Sequence, residues 1–112
     1  MSAVVGYVGM NFGELEWTQD QAIDAYNYAF EKYGVSGCTI STTIGYWNGT
    51  WETSHALTML NIEPTVARDV LEEIMHCLAQ IEVAWSIDGM DMPNLVNDSW
   101  QAERAEIAAN VA

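Results

Sequence analysis

The dipeptide Asn48-Gly49, set between two β-rich runs, constrains this sequence most. Asn-Gly favours a type I′ turn, because both central residues of that turn need a positive φ, and it is the strongest short-range sign of a β-hairpin. A two-residue turn fixes the register of the hairpin. Trp47 then faces Thr50, and the pairs continue down to Cys38 opposite Met59.

The period of two along a strand assigns the hairpin residues to two faces. The apolar face, expected to point into the core, carries Cys38, Ile40, Thr42, Ile44, Tyr46, Trp51, Thr53, His55, Leu57 and Met59. We name the other set the hydroxyl face: Thr39, Ser41, Thr43, Gly45, Trp47, Thr50, Glu52, Ser54, Ala56 and Thr58. Tyr46 and Trp51 are expected to form a cross-strand aromatic pair in the core.

Other elements lie on both sides of this hairpin. Residues 3–10 are typical of a strand whose glycines allow close backbone approach or a bulge. Thr18 and Gln21 form a capping box that begins a helix, and Gly34 ends it. Pro64 suits the first turn of a second helix, because its missing N–H has no partner there in any case.

The chain after the second helix shows weaker signals. Residues 83–87 alternate between apolar and small or polar types and predict a strand. Asp88-Gly89 predicts a turn, after which Pro93 is expected to end any continuation. Asp98 or Ser99 can cap a last helix, so residues 94–112 are predicted to be an appended helix.

The element order is strand, helix, strand, strand, helix, strand, and it predicts an α+β, ferredoxin-like βαββαβ fold. We expect one domain over residues 1–112, with an antiparallel sheet that carries two helices on one face. The other face of the sheet is left open, and the hydroxyl face lies on that side.

The charge of the chain is strongly negative. Sixteen Asp and Glu residues oppose Lys32, Arg68 and Arg104, which gives a net charge of −13. Such a surface repels nucleic acids and anionic membranes, so a basic protein, a cation or a neutral ligand remains as a partner. The alternative is solubility alone, although a net charge of about 2–8 is enough for that in a small domain.

Helical spacing places rows of these acids on the outside of the two helices. The candidate partner-binding residues are Asp20, Asp24, Glu31, Asp69, Glu72 and Glu73 on the helices, and Trp17 and Trp100 as exposed aromatic anchors near acids. The alternative for each row is a solvated helix face.

The hydroxyl face has several alternative uses. It can be solvated, it can pair with a second copy, or it can bind a ligand or a partner, and we expect the protein to be a homodimer. A fourth alternative is a lid formed within the chain, in which Trp100 covers Trp47. The candidate residues on this open sheet face are Trp47, Glu52, Thr43 and Ser54.

The sequence contains no recognisable catalytic or metal-binding motif. His55, His76, Cys38 and Cys77 do not have metal-ligand spacing, and Glu52 and His55 fall on opposite faces of the hairpin. We therefore expect no catalytic residues, no metal, no cofactor and no enzymatic activity. Both cysteines are expected to be buried free thiols, with a disulfide as the alternative.

No run of about 18 apolar residues predicts a membrane span, and the N-terminus has no signal-peptide pattern. The chain is therefore expected to be cytoplasmic, in the host cell if a phage encodes it.

The size, the charge and the lack of catalytic motifs resemble those of small acidic anti-defence inhibitors of bacteriophages, including anti-CRISPR and DNA-mimic proteins. The segment "GCTISTTIGYWNGTWETS" is similar to small uncharacterised ferredoxin-like proteins of phages and mobile elements. This resemblance implies a protein that occupies the nucleic-acid site of a basic host protein, and it carries over no functional residue. The alternative is a small-molecule-binding or sensing module that uses the open sheet face or a dimer cleft.

Overall fold

The computed structural model describes residues 1–9, 18–36, 38–47, 49–78, 80 and 82–97, with the backbone alone for residues 47 and 50–52. Five strands and two helices follow one another as β1 (Ser2–Gly9), α1 (Gln19–Lys32), β2 (Thr39–Trp47), β3 (Thr50–Ile62), α2 (Pro64–Cys77), β4 (Glu82–Ile87) and β5 (Met90–Val96). The strands form one antiparallel sheet in the order β2-β3-β1-β4-β5. The predicted α+β class is confirmed.

Strands β1 and β2 flank β3, and β3 and β4 flank β1. This arrangement is compatible with the predicted ferredoxin-like fold, from which it differs by a fifth strand at one edge. Neither described helix is long and apolar enough to cross a membrane.

Strand β5 corrects the expectation that Pro93 ends the regular structure. Proline lacks an N–H and is tolerated in an edge strand, where that group needs no ladder partner. The register of β4 and β5 shifts between Val83 and Trp85, and Trp85 Nε1 donates a 2.9 Å hydrogen bond to the Pro93 carbonyl. Residues 94–96 of the predicted appended helix therefore belong to β5, and residues 98–112 lie outside the described part of the chain.

The predicted helix ends are confirmed. The Thr18 hydroxyl accepts from Gln21 N at 3.2 Å, and the Gln21 side chain accepts from Thr18 N at 3.0 Å, which completes the capping box of α1. Gly34 follows α1 with a φ of 67°, and Pro64 begins α2.

The core lies between the two helices and one face of the sheet. Its sheet side is formed by Val4, Val8, Leu57, Met59 and Trp85, and its helix side includes Ala22, Tyr26, Ala29, Phe30, Ala67, Leu71 and Ile74. Gly6 sits on this face between Leu57 and Trp85 in the register. A Cβ at Gly6 would lie 2.3 Å from Leu71 Cδ2, so the close approach expected from the glycines of β1 is confirmed here.

The predicted hairpin register is confirmed from Trp47 opposite Thr50 to Ile40 opposite Leu57. The expectation that the outer residues of its apolar face are buried is wrong: Ile44 is 66% exposed and Tyr46 is 60% exposed. The pairing of β1 with β3 ends at Gly9 opposite Ser54, so the hairpin runs past the last strand that the described residues place beside it. The period of two identifies the face of a strand, but not how far the neighbouring elements cover it.

Candidate functional site

The open side of the sheet carries the hydroxyl face. Thr39, Ser41 and Thr43 of β2 are exposed, whereas Ser54 and Thr58 of β3 are half-buried. Trp47 and Glu52, the other two predicted residues of this face, lie in β2 and β3, and their side chains are outside the described part of the structure. Of the four candidates, the register brings Thr43 and Ser54 together as one cross-strand pair.

Tyr7 lies on the same side and was missed by the sequence analysis. The register places it between Ala56 of β3 and Ala84 of β4, and its side chain is 41% exposed. An aromatic ring between two small residues leaves a flat surface on which a planar group can stack. The alternation within β1, in which Val4 and Val8 are buried, is the signal that assigns Tyr7 to the open side.

A buried polar pair joins α1 to the sheet. The Tyr26 hydroxyl lies 2.7 Å from Nδ1 of His55, and His55 is only 1% exposed. Burial raises the pKa of Tyr26 and lowers the pKa of His55, so both side chains are neutral near pH 7. With both groups neutral, one hydrogen bond joins the Tyr26 oxygen to Nδ1 of His55, and the tautomer of the imidazole decides which of the two donates. The sequence placed His55 on the core side of the hairpin, and that placement is confirmed.

The predicted acidic residues fall into two groups. On α2, Glu73 lies 2.8 Å from Lys32 Nζ, and Glu72 lies 4.0 Å from Arg68 Nε. Asp69 on the same helix is half-buried. Glu72 and Glu73 therefore pair with the two basic side chains that the structure describes.

Asp20, Asp24 and Glu31 are exposed on α1. None of the three forms an ion pair with a residue of the described ranges. Their spacing along the helix lays them along one flank, and we name these three residues the α1 acidic flank. This flank contributes uncompensated negative charge to the surface. Trp17 and Trp100, the two predicted anchors, lie outside the described residues.

The two cysteines are free thiols, as expected. The expectation that both are buried is wrong, because Cys38 is half-buried and Cys77 is exposed. Burial raises the pKa of each thiol, and Glu73 adds to that effect at Cys77. A raised pKa lowers the fraction of thiolate, which is the nucleophilic form. Within the described ranges, no group of three or more His, Cys, Asp or Glu side chains is placed to hold a metal ion.

Another buried polar cluster lies where α2 leads into β4. The Gln80 side chain is 1% exposed, and neither its Oε1 nor its Nε2 has a hydrogen-bond partner among the described residues. Asn97, just after β5, is 3% exposed and donates from Nδ2 to the Gln80 carbonyl at 3.3 Å. The sequence analysis assigned neither residue a role, because a single amide in a connection gives no periodic signal.

No protein-family model and no curated protein matches the chain. Among solved structures, the chain is similar to a phage SAM lyase in its apo state, with a TM-score of 0.64 and 14% sequence identity. The match covers 87% of this chain and 90% of that chain, and it shows a shared fold.

This comparison corrects the prediction that the protein is not an enzyme. The fold of this chain is one that an enzyme, the SAM lyase, also uses. The missing sequence motif was the basis for that prediction, and a motif search finds only sites whose residues lie close in the sequence. A site assembled from distant strands and helices leaves no such trace.

Proposed function

We propose that this protein is an enzyme that cleaves S-adenosylmethionine (SAM) as a lyase. The observation that carries the proposal is the fold shared with a phage SAM lyase over 87% of this chain at a TM-score of 0.64. At 14% sequence identity, this similarity supports a shared architecture. The choice of SAM as the substrate rests in addition on the charge of the protein surface.

The charge of the protein supports a cationic substrate. SAM carries a positively charged sulfonium and has no phosphate, so it needs none of the basic side chains that this chain lacks. A net charge of −13 attracts such a cation and raises its local concentration. The α1 acidic flank strengthens this field, because no described basic residue neutralises it.

Lyase cleavage of a sulfonium needs neither water nor an oxidant. The bonding electron pair returns to sulfur, which becomes a neutral thioether. The carbon fragment completes the reaction in one of two ways. It loses a proton, or its own carboxylate bonds to the carbon that leaves the sulfur. The change from a cation to a neutral thioether also weakens the electrostatic attraction of that product, which favours its release.

The test is direct. Purified protein is incubated with SAM, and the products are identified by liquid chromatography and mass spectrometry. The proposal predicts two products whose masses sum to that of SAM, with no ¹⁸O incorporated from labelled water. Heat-denatured protein is the control for spontaneous decay. ¹⁸O in the hydroxyl group of the amino-acid product identifies a hydrolase instead, whereas ¹⁸O confined to its carboxyl group comes from later opening of a lactone. An unchanged decay rate rejects SAM as the substrate.

The same charge supports a second candidate function, the binding of a basic, nucleic-acid-binding host protein as in anti-CRISPR or DNA-mimic inhibitors. The exposed α1 acidic flank is the observation that favours it. Capture of such a protein from a bacterial lysate at low salt and its loss at high salt supports this role, since exposed charges are screened by salt. Homodimer formation through the hydroxyl face stays a proposal, which sedimentation of the purified protein tests.

A further inference from the structure

Gln80 is buried in a way that glutamine side chains in folded proteins rarely are. The side chain is 1% exposed, and both of its amide atoms lack a hydrogen-bond partner among the described residues. Buried polar groups are almost always hydrogen-bonded, because an unsatisfied one loses its water without compensation. Residues that reduce stability in this way are kept where they serve a function.

The backbone around Gln80 is held on two sides. Its N–H donates to the Met75 carbonyl at 2.8 Å, which fixes the residue to the end of α2. Its carbonyl accepts from Asn97 Nδ2 at 3.3 Å, which fixes it to the end of β5. The main chain of Gln80 is therefore anchored, while the amide of its side chain remains unused. A fixed backbone with an unused amide is the arrangement of a group prepared for a ligand.

We infer that the Gln80 carboxamide recognises the adenine edge of a nucleoside ligand, with the side-chain carbonyl accepting from the 6-amino group and the side-chain NH₂ donating to an adjacent ring nitrogen. A carboxamide and adenine are complementary in this bidentate way, as they are when Gln or Asn recognises adenine in DNA. The inference rests on the proposed function, because SAM supplies the adenine.

Access to the amide does not require the sheet to open. Gln80 lies in the connection between α2 and β4, outside both elements. Among the described residues, no strand pairing involves Gln80, so a rotation of its side chain can expose the amide while the hydrogen bonds to Met75 and Asn97 keep its backbone in place. Local openings of this size cost far less free energy than global unfolding.

The experiment compares wild type with Gln80→Met, an apolar side chain of similar shape. Adenosine is titrated into ¹⁵N-labelled protein, and the side-chain NH₂ signals of Gln80 are assigned by their loss in the variant. The inference predicts that adenosine shifts these signals and that Gln80→Met weakens adenosine binding about ten-fold or more, as expected for two lost hydrogen bonds. Purine riboside, which lacks the 6-amino group, is expected to bind more weakly than adenosine.

Gln80→Met is also expected to be at least as stable as wild type towards urea, since it removes two unsatisfied polar atoms. Gln19→Met, the same change at an exposed position of α1, is the control and should alter neither adenosine binding nor stability. If Gln80 only stabilised the fold, its replacement would lower stability. A Gln80→Met variant that is more stable but binds adenosine more weakly therefore indicates a role in binding.

The two proposals fail separately. If SAM is cleaved while adenosine leaves the Gln80 signals unchanged, or if the variant binds as wild type does, the role of Gln80 is rejected and the proposed function stands. A long-lived water as the sole partner of the amide gives that result. If adenosine shifts the signals and the variant loses binding but SAM is not cleaved, the adenine site stands and the lyase activity is rejected. If neither SAM nor adenosine binds, both are rejected.

Discussion

The Tyr26 hydroxyl on α1 lies 2.7 Å from Nδ1 of His55 on β3, and this hydrogen bond joins the helix layer to the sheet inside the core. The two rings also meet edge to face, with their centroids 5.4 Å apart. One contact therefore fixes both the position of α1 over the sheet and the orientation of the imidazole.

Tyr26→Phe removes the hydroxyl and leaves Nδ1 of His55 buried without its partner. We expect a loss of about 1–3 kcal/mol in the free energy of unfolding, the cost of an unsatisfied buried polar group. Urea unfolding followed by tryptophan fluorescence measures it. Tyr28→Phe is the matched control, because Tyr28 is exposed on the same helix. A loss no larger than that of the control contradicts a stabilising role for the bond.

Stability is expected to fall in mild acid because of His55. Burial lowers the pKa of His55 from its ordinary value of 6.5, so the unfolded state takes up a proton at a higher pH than the folded state does. The contribution is fully present above pH 6.5 and is lost as the pH falls from there towards the folded-state pKa, with a slope of up to about 1.4 kcal/mol per pH unit.

His55→Asn keeps an acceptor for the Tyr26 hydroxyl but cannot take up this proton, so its stability should depend less on pH between 7 and 5 than that of wild type does. Urea unfolding at several pH values gives the slopes. His76→Asn, at an exposed position of α2, is the control. Equal slopes for the two variants would show that His55 does not carry the effect.

Gly6→Ala is expected to be destabilising, because the new Cβ meets Leu71 Cδ2 at 2.3 Å inside a packed core. Overpacking of this kind costs about 1–3 kcal/mol. In a Leu71→Val background the shorter side chain leaves room, so the same change should cost less. A double-mutant cycle by urea unfolding measures this coupling. Additive effects would mean that the backbone, and not Leu71, absorbs the clash.

Asp88→Ala is expected to destabilise the β4–β5 turn by about 1 kcal/mol. The carboxylate accepts a 2.9 Å hydrogen bond from Ala3 N, and the residue has a φ of 49°, which alanine disfavours. Asp88→Asn keeps an acceptor oxygen and tolerates this φ, so thermal unfolding should place it between the alanine variant and wild type. If both variants unfold at the same temperature, the bond to Ala3 has no measurable effect.

Neutralising the α1 acidic flank is expected to slow the capture of a cation. Asp24→Asn with Glu31→Gln should lower kcat/KM for SAM about two- to five-fold at low ionic strength, with the difference disappearing at high salt. Glu82→Gln with Asp91→Asn changes the net charge equally at exposed positions of β4 and β5. A matching decrease in this control would assign the effect to net charge and not to the flank.

Local signals in the sequence predicted much of the fold. Asn48-Gly49 determined the register of the hairpin, and Thr18 with Gln21 marked the start of α1, because turns and caps depend on a few adjacent residues. Strand β5 was missed because a proline such as Pro93 interrupts pairing inside a sheet but is tolerated in an edge strand. Whether a strand lies at an edge depends on pairing between distant segments, which the local pattern does not contain.

The candidate site could be predicted only in part, for the same reason. His55 was placed on the core side, but its partner Tyr26 is 29 residues away in sequence. Ile44 and Tyr46 have the correct face for burial, yet their exposure depends on where the neighbouring strand ends. The unsatisfied amide of Gln80 is visible only in the folded structure, because its burial depends on residues distant in the sequence.

Pro93 has a consequence for how the sheet can grow. A further strand from another molecule can add only where an edge offers an unbroken row of backbone donors and acceptors. Pro93 interrupts β5 at the middle of its seven residues, which protects that edge against aggregation. Of the two edge strands in the described sheet, β2 is the one that contains no proline. Proline therefore hinders β-augmentation at β5 and not at β2.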